Sequence, residues 1–497
     1  MNNISLLIIA VSLAFIVCLG VRARRGIEMN LEQWSVGGRG FSALLVFVLM
    51  AGEIYTTFTF LGASGFAYGF GGPALYIVVY TVLAFVMSYW LLPPVWRFAK
   101  THRLLTQSDY FAKAYGSTAL GTLVAVVSLV ALIPYLILQF KGIGIIVELT
   151  SYGGITPATA IWIGAGAMTL YVICSGMHGS VNTALLKDAV VLVVCVFLGV
   201  YLPYHYYGGL GDMFQSLEQA RPGFLALPET GKNAVWYLST ILISGLGMYL
   251  WPHTFASVYT SKTETSFRKN AAVMPLYALV MLFSMFVGMA AVLQVPGLAG
   301  GQIDLALLKL SIQTFDPWLV GVIGAAGLLT AIVPGSIMLI ASSTLFARNI
   351  YLVAAPSTGD AALSRVSRVA ALGISLIAVI LTLRGGQSIV ALLIMGFSFV
   401  TQLAPALFAS LLAGGLTNKY GVAAGLCVGV GTVAYTVLAG MTMQKLFPAA
   451  PSWVHDVNIG VIALGLNIVA MLAVSAATRR VAQGSIAGRL QSSPEPL

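Results

Sequence analysis

Charge is the scarcest thing in this chain. Asp, Glu, Lys and Arg supply 8% of its 497 residues, about a third of the ~25% usual in a soluble domain, while 59% are hydrophobic. No soluble fold buries that much apolar surface and still covers its exterior. A soluble enzyme, a nucleic-acid reader and a disordered chain are excluded, which leaves a polytopic membrane protein. Acidic residues are rarer than basic ones, 15 against 25, for a formal net charge of +10. In a membrane chain such an excess reads first as a positive-inside asymmetry. Cysteine is limited to Cys18, Cys174, Cys195 and Cys427. All four lie in apolar runs without metal-ligand spacing, so they read as small core residues. His178 and His253 stand singly, and neither paired carboxylates nor a Gly-x-Ser-x-Gly elbow appears. No enzymatic chemistry, cofactor or metal is expected.

What the chain has is apolar runs of spanning length, about 20 residues each. Thirteen are expected, at 3–21, 41–66, 74–96, 118–147, 157–175, 182–205, 234–257, 271–295, 318–346, 367–384, 388–415, 421–441 and 457–477. The first is followed, not preceded, by its basic cluster (Arg22, Arg24, Arg25), so it reads as a retained helix with its N-terminus outside. With that orientation 18 of the 25 lysines and arginines, from Arg22 to Arg479, Arg480 and Arg489, fall on inner segments. Five fall outside (Arg221, Lys232, Lys309, Arg384, Lys445), and Lys141 and Lys187 lie within spans. The split supports N-out, C-in and an odd number of spans. The outer segments 206–233 and 296–317 read as amphipathic and surface-lying.

A charge inside a span marks function by default. Glu53, Lys141 and the pair Lys187–Asp188 qualify. For Lys141 the alternative is snorkelling to the outer interface, and for Lys187–Asp188 a structural pair. Two spans carry helix-breaking chemistry. In the second, Gly52 precedes the polar run Glu53, Tyr55, Thr56, Thr57 and Thr59; in the ninth, Pro334-Gly335-Ser336 stands mid-span. Both are expected to be interrupted, the alternative being a simple proline kink for packing, and interrupted helices point to a midplane binding site.

Several motifs then appear in order: Trp34-Ser35-Val36-Gly37-Gly38-Arg39, Gln139-Phe140-Lys141-Gly142, Ser175-Gly176-Met177, Trp251-Pro252-His253 and Arg348-Asn349-Ile350-Tyr351. With the thirteen-span layout, the chain resembles the sodium:solute symporter family over nearly its whole length. Gly52-Glu53-Ile54-Tyr55-Thr56, Pro252-His253 and Lys187-Asp188 look most like its monocarboxylate permeases, which carry lactate, pyruvate or acetate. The resemblance implies an all-α, LeuT-like transporter with a five-plus-five inverted-repeat core, spans 2–6 and 7–11. One transporter domain would cover 1–497: a peripheral first helix (1–25), the core (41–415), two peripheral helices (421–480) and a cytoplasmic tail (481–497). The tail is too short for the signalling domain a receptor on this fold would carry.

The resemblance also implies sites. Sodium-coupled members hold Na⁺ on carbonyls matching Gly52, Tyr55 and Ala331 and on two hydroxyls. The hydroxyl positions match Pro334 and Gly335, and a frequent Asp matches Ala184, so the sodium set is depleted. Ser336 offers partial compensation. Lys187 lies one turn from Ala184, so its ammonium is expected to stand in for the cation, bridging Gly52 and Tyr55 to Ala331 and making the proton the coupling ion. Asp188 is expected to be a poor partner, because adjacent helical residues point about 100° apart. The ion-coupling candidates are Gly52, Tyr55, Lys187, Asp188, Ala331, Gly335 and Ser336. The substrate-binding candidates are Glu53, Thr56, Thr57, Lys141, Tyr249, Trp251 and Gln402. Two readings stay open: import of a small monocarboxylate by alternating access, proton-coupled, or Na⁺ symport of another small solute (an amino acid, vitamin or sugar). Either places the chain in the cell's inner membrane, with the lipid bilayer, the solute and H⁺ or Na⁺ as partners and no nucleic acid.

Overall fold

A computed structural model describes residues 3–23, 25–26, 28–412 and 415–479. Arg24, Arg480, Arg489 and the expected tail 481–497 lie outside the described residues. The described chain is helical, with one isolated parallel bridge, Phe41 to Ser261, and no strand. Among the described residues nine helical stretches are long and apolar enough to cross a membrane, and two bent pairs bring the number to eleven.

The main helices are α1 (Asn3–Ala23), α2 (Ala43–Ile54), α3 (Ala63–Phe70), α4 (Tyr76–Thr101), α5 (Thr118–Thr150) and α6 (Pro157–Tyr207). They continue as α7 (Ala234–Gly247), α8 (Pro252–Tyr259), α9 (Thr265–Ala278), α10 (Val280–Gln294) and α11 (Pro317–Phe346). The last are α12 (Asp360–Arg384), α13 (Ile389–Val400), α14 (Ala404–Leu411), α15 (Lys419–Leu438) and α16 (Ile459–Ala477). α11 is buried along nearly its whole length, while α15 and α16 pair with each other at the periphery.

α6 covers the expected fifth and sixth spans. Its 51 residues amount to about 76 Å at 1.5 Å per residue, far beyond a hydrocarbon core of about 30 Å. It breaks at Gly176, which has φ 58° and ψ −159°. A side chain there would meet Trp34 Cδ1 at 2.7 Å, so both the backbone angle and the approach of Trp34 require glycine. Trp34 Nε1 donates to Val172 O at 3.2 Å beside the break.

The two bent pairs are α2–α3, at 50°, and α7–α8, at 46°. The second was not expected; the interruption was expected in the ninth span instead. There Pro334 sits inside an unbroken α11: an interior proline removes one amide donor and crowds the carbonyl four residues back, and the packing around this almost wholly buried helix offsets that cost. At the α7–α8 joint Trp251 is extended (φ −73°, ψ 140°) and Pro252 opens the next helix, where its fixed φ and missing N–H fit. The breaks therefore fall in the spans that begin with α2 and with α7, and the two broken spans are joined away from the breaks, just before α2 and just after α8. Phe41 N donates to Thr260 O, and Lys262 N to Phe41 O, both at 3.0 Å.

Candidate functional site at two broken helices

A break inside a membrane frees backbone groups that need partners. At the α2–α3 break the local sequence supplies some. Thr59 Oγ1 donates to Ile54 O at 2.5 Å, and Thr56 Oγ1 accepts from Phe58 N at 3.1 Å. Two further carbonyls are taken by Lys187 of α6, whose fully buried Nζ donates to Gly52 O at 2.5 Å and Tyr55 O at 3.0 Å. Its third neighbour is Asp188 Oδ1 at 3.0 Å. The lysine stem is long enough to curl over the adjacent residue, so Asp188 is a closer partner than helix geometry suggested. Ala331 O is not among the contacts, so the ammonium rests on α2 alone and does not bridge to α11. Val48, Ala184 and Val333 form a small apolar cluster nearby. Ser336 Oγ is engaged with Val333 O (2.6 Å) and Ser180 Oγ (2.9 Å). Gly335 lies against Met168.

Glu53, next to Gly52, points the other way, into a small internal chamber lined also by Tyr80, Tyr135, Tyr249, Trp251 and His253. Its carboxylate accepts a hydrogen bond from Ser257 of α8, so the two broken helices meet through it. Tyr135 OH reaches Glu53 O at 3.4 Å. Trp251 packs on Tyr135 at 4.9 Å between ring centroids and on Phe397 at 5.5 Å. Two buried polar atoms in this lining have no partner among the described residues, Tyr249 OH and His253 Nδ1. Unpartnered polar atoms in a buried wall are costly, and both residues belong to the lining of the chamber. The chamber measures about 30 Å³, room for one or two waters, so an organic solute needs its walls to part.

Of the expected substrate residues, Glu53, Tyr249 and Trp251 line this chamber. Thr56, Thr57, Lys141 and Gln402 do not. Thr57 Oγ1 donates to Gln139 Oε1 at 2.8 Å. Gln402 donates to Ser398 O (3.0 Å) and Gly460 O (3.3 Å) and accepts from Asn467 (2.7 Å at its carbonyl), which fastens the core to α16. Lys141 Nζ is taken up by Asp304 Oδ2 (2.7 Å), Gln387 O (2.6 Å) and Gly301 O (3.3 Å). Asp304 is fully buried and also accepts from Ile389 N at 2.9 Å. Sequence reasoning missed Asp304, Ser257, Tyr135 and the chamber-facing role of His253. For His253 the signal was present, a polar side chain directly after the Trp-Pro joint.

The sodium:solute symporter family model matches residues 34–429. The chain is 56% identical to an uncharacterized symporter, YhjB, of Bacillus subtilis, over 96% of this chain and 98% of that one. It is 27% identical to a monocarboxylate transport permease protein of Rhizobium johnstonii, over 90% of each. Among solved structures, a Na⁺-coupled sialic acid symporter in a substrate-bound outward-open state superposes with a TM-score of 0.77 at 14% identity, covering 95% of this chain and 97% of that one. That likeness establishes a shared transporter fold. With two broken helices, a multi-pass membrane body and a family match across most of its length, the chain belongs to the sodium:solute symporter family.

Proposed function

We propose that the protein imports a small monocarboxylate such as lactate, pyruvate or acetate by alternating access, with the proton as coupling ion. One observation carries the coupling: Lys187 Nζ occupies the carbonyls of Gly52 and Tyr55, where the family resemblance puts Na⁺. An ammonium charged on the proton-rich side holds the break of α2–α3 against α6. Losing the proton on the other side frees those carbonyls and lets the helices move apart. The acid group of the substrate fits the chamber's unpartnered Tyr249 OH and His253 Nδ1, and Trp251 and Tyr135 shape the apolar end. The likeness to a monocarboxylate transport permease protein supports this substrate class. The competing reading is Na⁺ symport of another small solute, favoured by the Na⁺ coupling of the sialic acid symporter and by Ser336 beside Pro334.

The same reading extends to the layout. Eleven crossings become thirteen when α6 crosses twice about Gly176 and α1 crosses once, with the N-terminus outside, 41–415 as the core and 421–480 as peripheral helices. Proteoliposome uptake of labelled lactate, pyruvate and acetate tests the substrate, with unlabelled proline and pantothenate as competitors. The account expects accumulation of at least one acid that neither competitor blocks. Uptake of none of the three would defeat it.

A further inference from the structure

A second cavity, of about 660 Å³, lies beyond the end of α3 and the start of α7, on the side that the charge count assigns to the outside. It has the size of ordinary small-molecule sites, whereas the central chamber has room for water only. One helix serves both spaces: Leu393 and Phe397 of α13 face the chamber, and Ile394, Met395 and Ser398 face this vestibule. Between them runs a continuous series of rings. Centroid distances are 5.9 Å for Phe66–Trp236, 5.3 Å for Trp236–Tyr76, 5.8 Å for Tyr76–Tyr80 and 5.5 Å for Tyr80–Phe397.

Lys232 stands in the vestibule wall. Its Nζ lies 3.8 Å from the ring centroid of Phe70, 5.6 Å from Trp236 and 5.7 Å from Phe66. Ring faces attract an ammonium without neutralising it. Among the described residues no carboxylate pairs with it. Asp456, in the same wall, is engaged with Gly231 N (3.0 Å) and Asn233 Nδ2 (2.8 Å). Partial burial moves the Lys232 pKa below the usual lysine value, since the ammonium loses water and gains no counter-charge. The neighbouring Lys141 does not compete, because its ammonium already has Asp304 Oδ2 and two carbonyls.

We infer that this vestibule is a binding site for an organic carboxylate, whose acid group pairs with the Lys232 ammonium while its apolar part lies on Phe66 and Trp236. It is the first resting place of the incoming substrate, outside the ring layer that closes the chamber. A fixed positive charge at the mouth raises the local concentration of anions and their rate of entry. The inference rests on the reading that the solute is an organic acid.

The test reads the vestibule directly. Met395→Cys puts a thiol in its wall, and a membrane-impermeant methanethiosulfonate labels it in the full-length protein, corrected for labelling of the parent chain. Propionate is expected to slow the labelling, and adding Lys232→Gln is expected to abolish that protection. Inorganic phosphate at equal concentration, standing for a lipid headgroup or a free inorganic anion, is expected not to protect. In uptake, Lys232→Gln should raise KM roughly two- to fivefold with the maximal rate unchanged. Absent protection, protection that survives Lys232→Gln, or equal protection by phosphate overturns the inference. If propionate protects through Lys232 but no monocarboxylate is taken up, the vestibule site stands and the substrate reading falls.

Discussion

Glu53 and Lys187 meet the same break from different sides. Lys187 closes the backbone carbonyls on one side of α2, and Glu53 presents a carboxyl group to the chamber on the other. Glu53→Gln keeps the volume and an acceptor for Ser257 but removes the charge. The account expects uptake to fall by about tenfold or more with little change of Tm in detergent. Normal uptake at unchanged KM would remove Glu53 from the site. Both residues were conspicuous in the sequence because a charge in an apolar run is rare and expensive. Their partners were not. Ser257 lies 204 positions from Glu53 and is one hydroxyl among many. Lys141 was conspicuous in the same way, while its partner Asp304 sits on a short 3-10 turn (Gly300–Leu305) 163 residues away. Lys141→Met should leave the Asp304 charge buried and unpaired, at a cost of about 3–5 kcal/mol, visible as a lower Tm. Adding Asp304→Leu should recover part of that loss, and KM should hold in both, since neither side chain lines the chamber.

At the scale of elements, the break in the second span was legible because Gly52 and a run of hydroxyl residues announce backbone that needs local partners. The break between α7 and α8 was legible only as a motif: Trp251-Pro252-His253 marked the family without showing that Pro252 begins a new helix. Pro334 gave the opposite error: it removes a hydrogen bond and crowds the preceding turn, yet the well-packed α11 runs on through it. The second half of the broken span is held by close helix contact. A side chain at Gly288 of α10 would run into the Ser64 carbonyl of α3. Gly288→Ala should therefore cost about 1–3 kcal/mol through overpacking, read as a drop in Tm, and should slow uptake because α3 is displaced. An unchanged Tm would show that α3 and α10 do not pack this closely in the membrane.

For the molecule as a whole, composition alone excluded every soluble class, and charge placement predicts an orientation. A C-terminal reporter active only in the cytoplasm should be active and an N-terminal one silent; the reverse would sink the N-out, C-in layout. The fold was legible at this scale because spanning length and charge asymmetry are properties of whole segments and survive errors at single positions. The binding chamber was not, because it is assembled from six distant segments whose side chains carry no shared spacing. The central claim is that an ammonium does the work of a sodium ion. The direct measurement is accumulation of labelled pyruvate by proteoliposomes under an inward proton gradient in Na⁺-free buffer, for the wild type and Lys187→Ala. The account predicts that the wild type concentrates pyruvate and the variant does not. Strict Na⁺ dependence of the wild type, or proton-driven accumulation by Lys187→Ala, would contradict it.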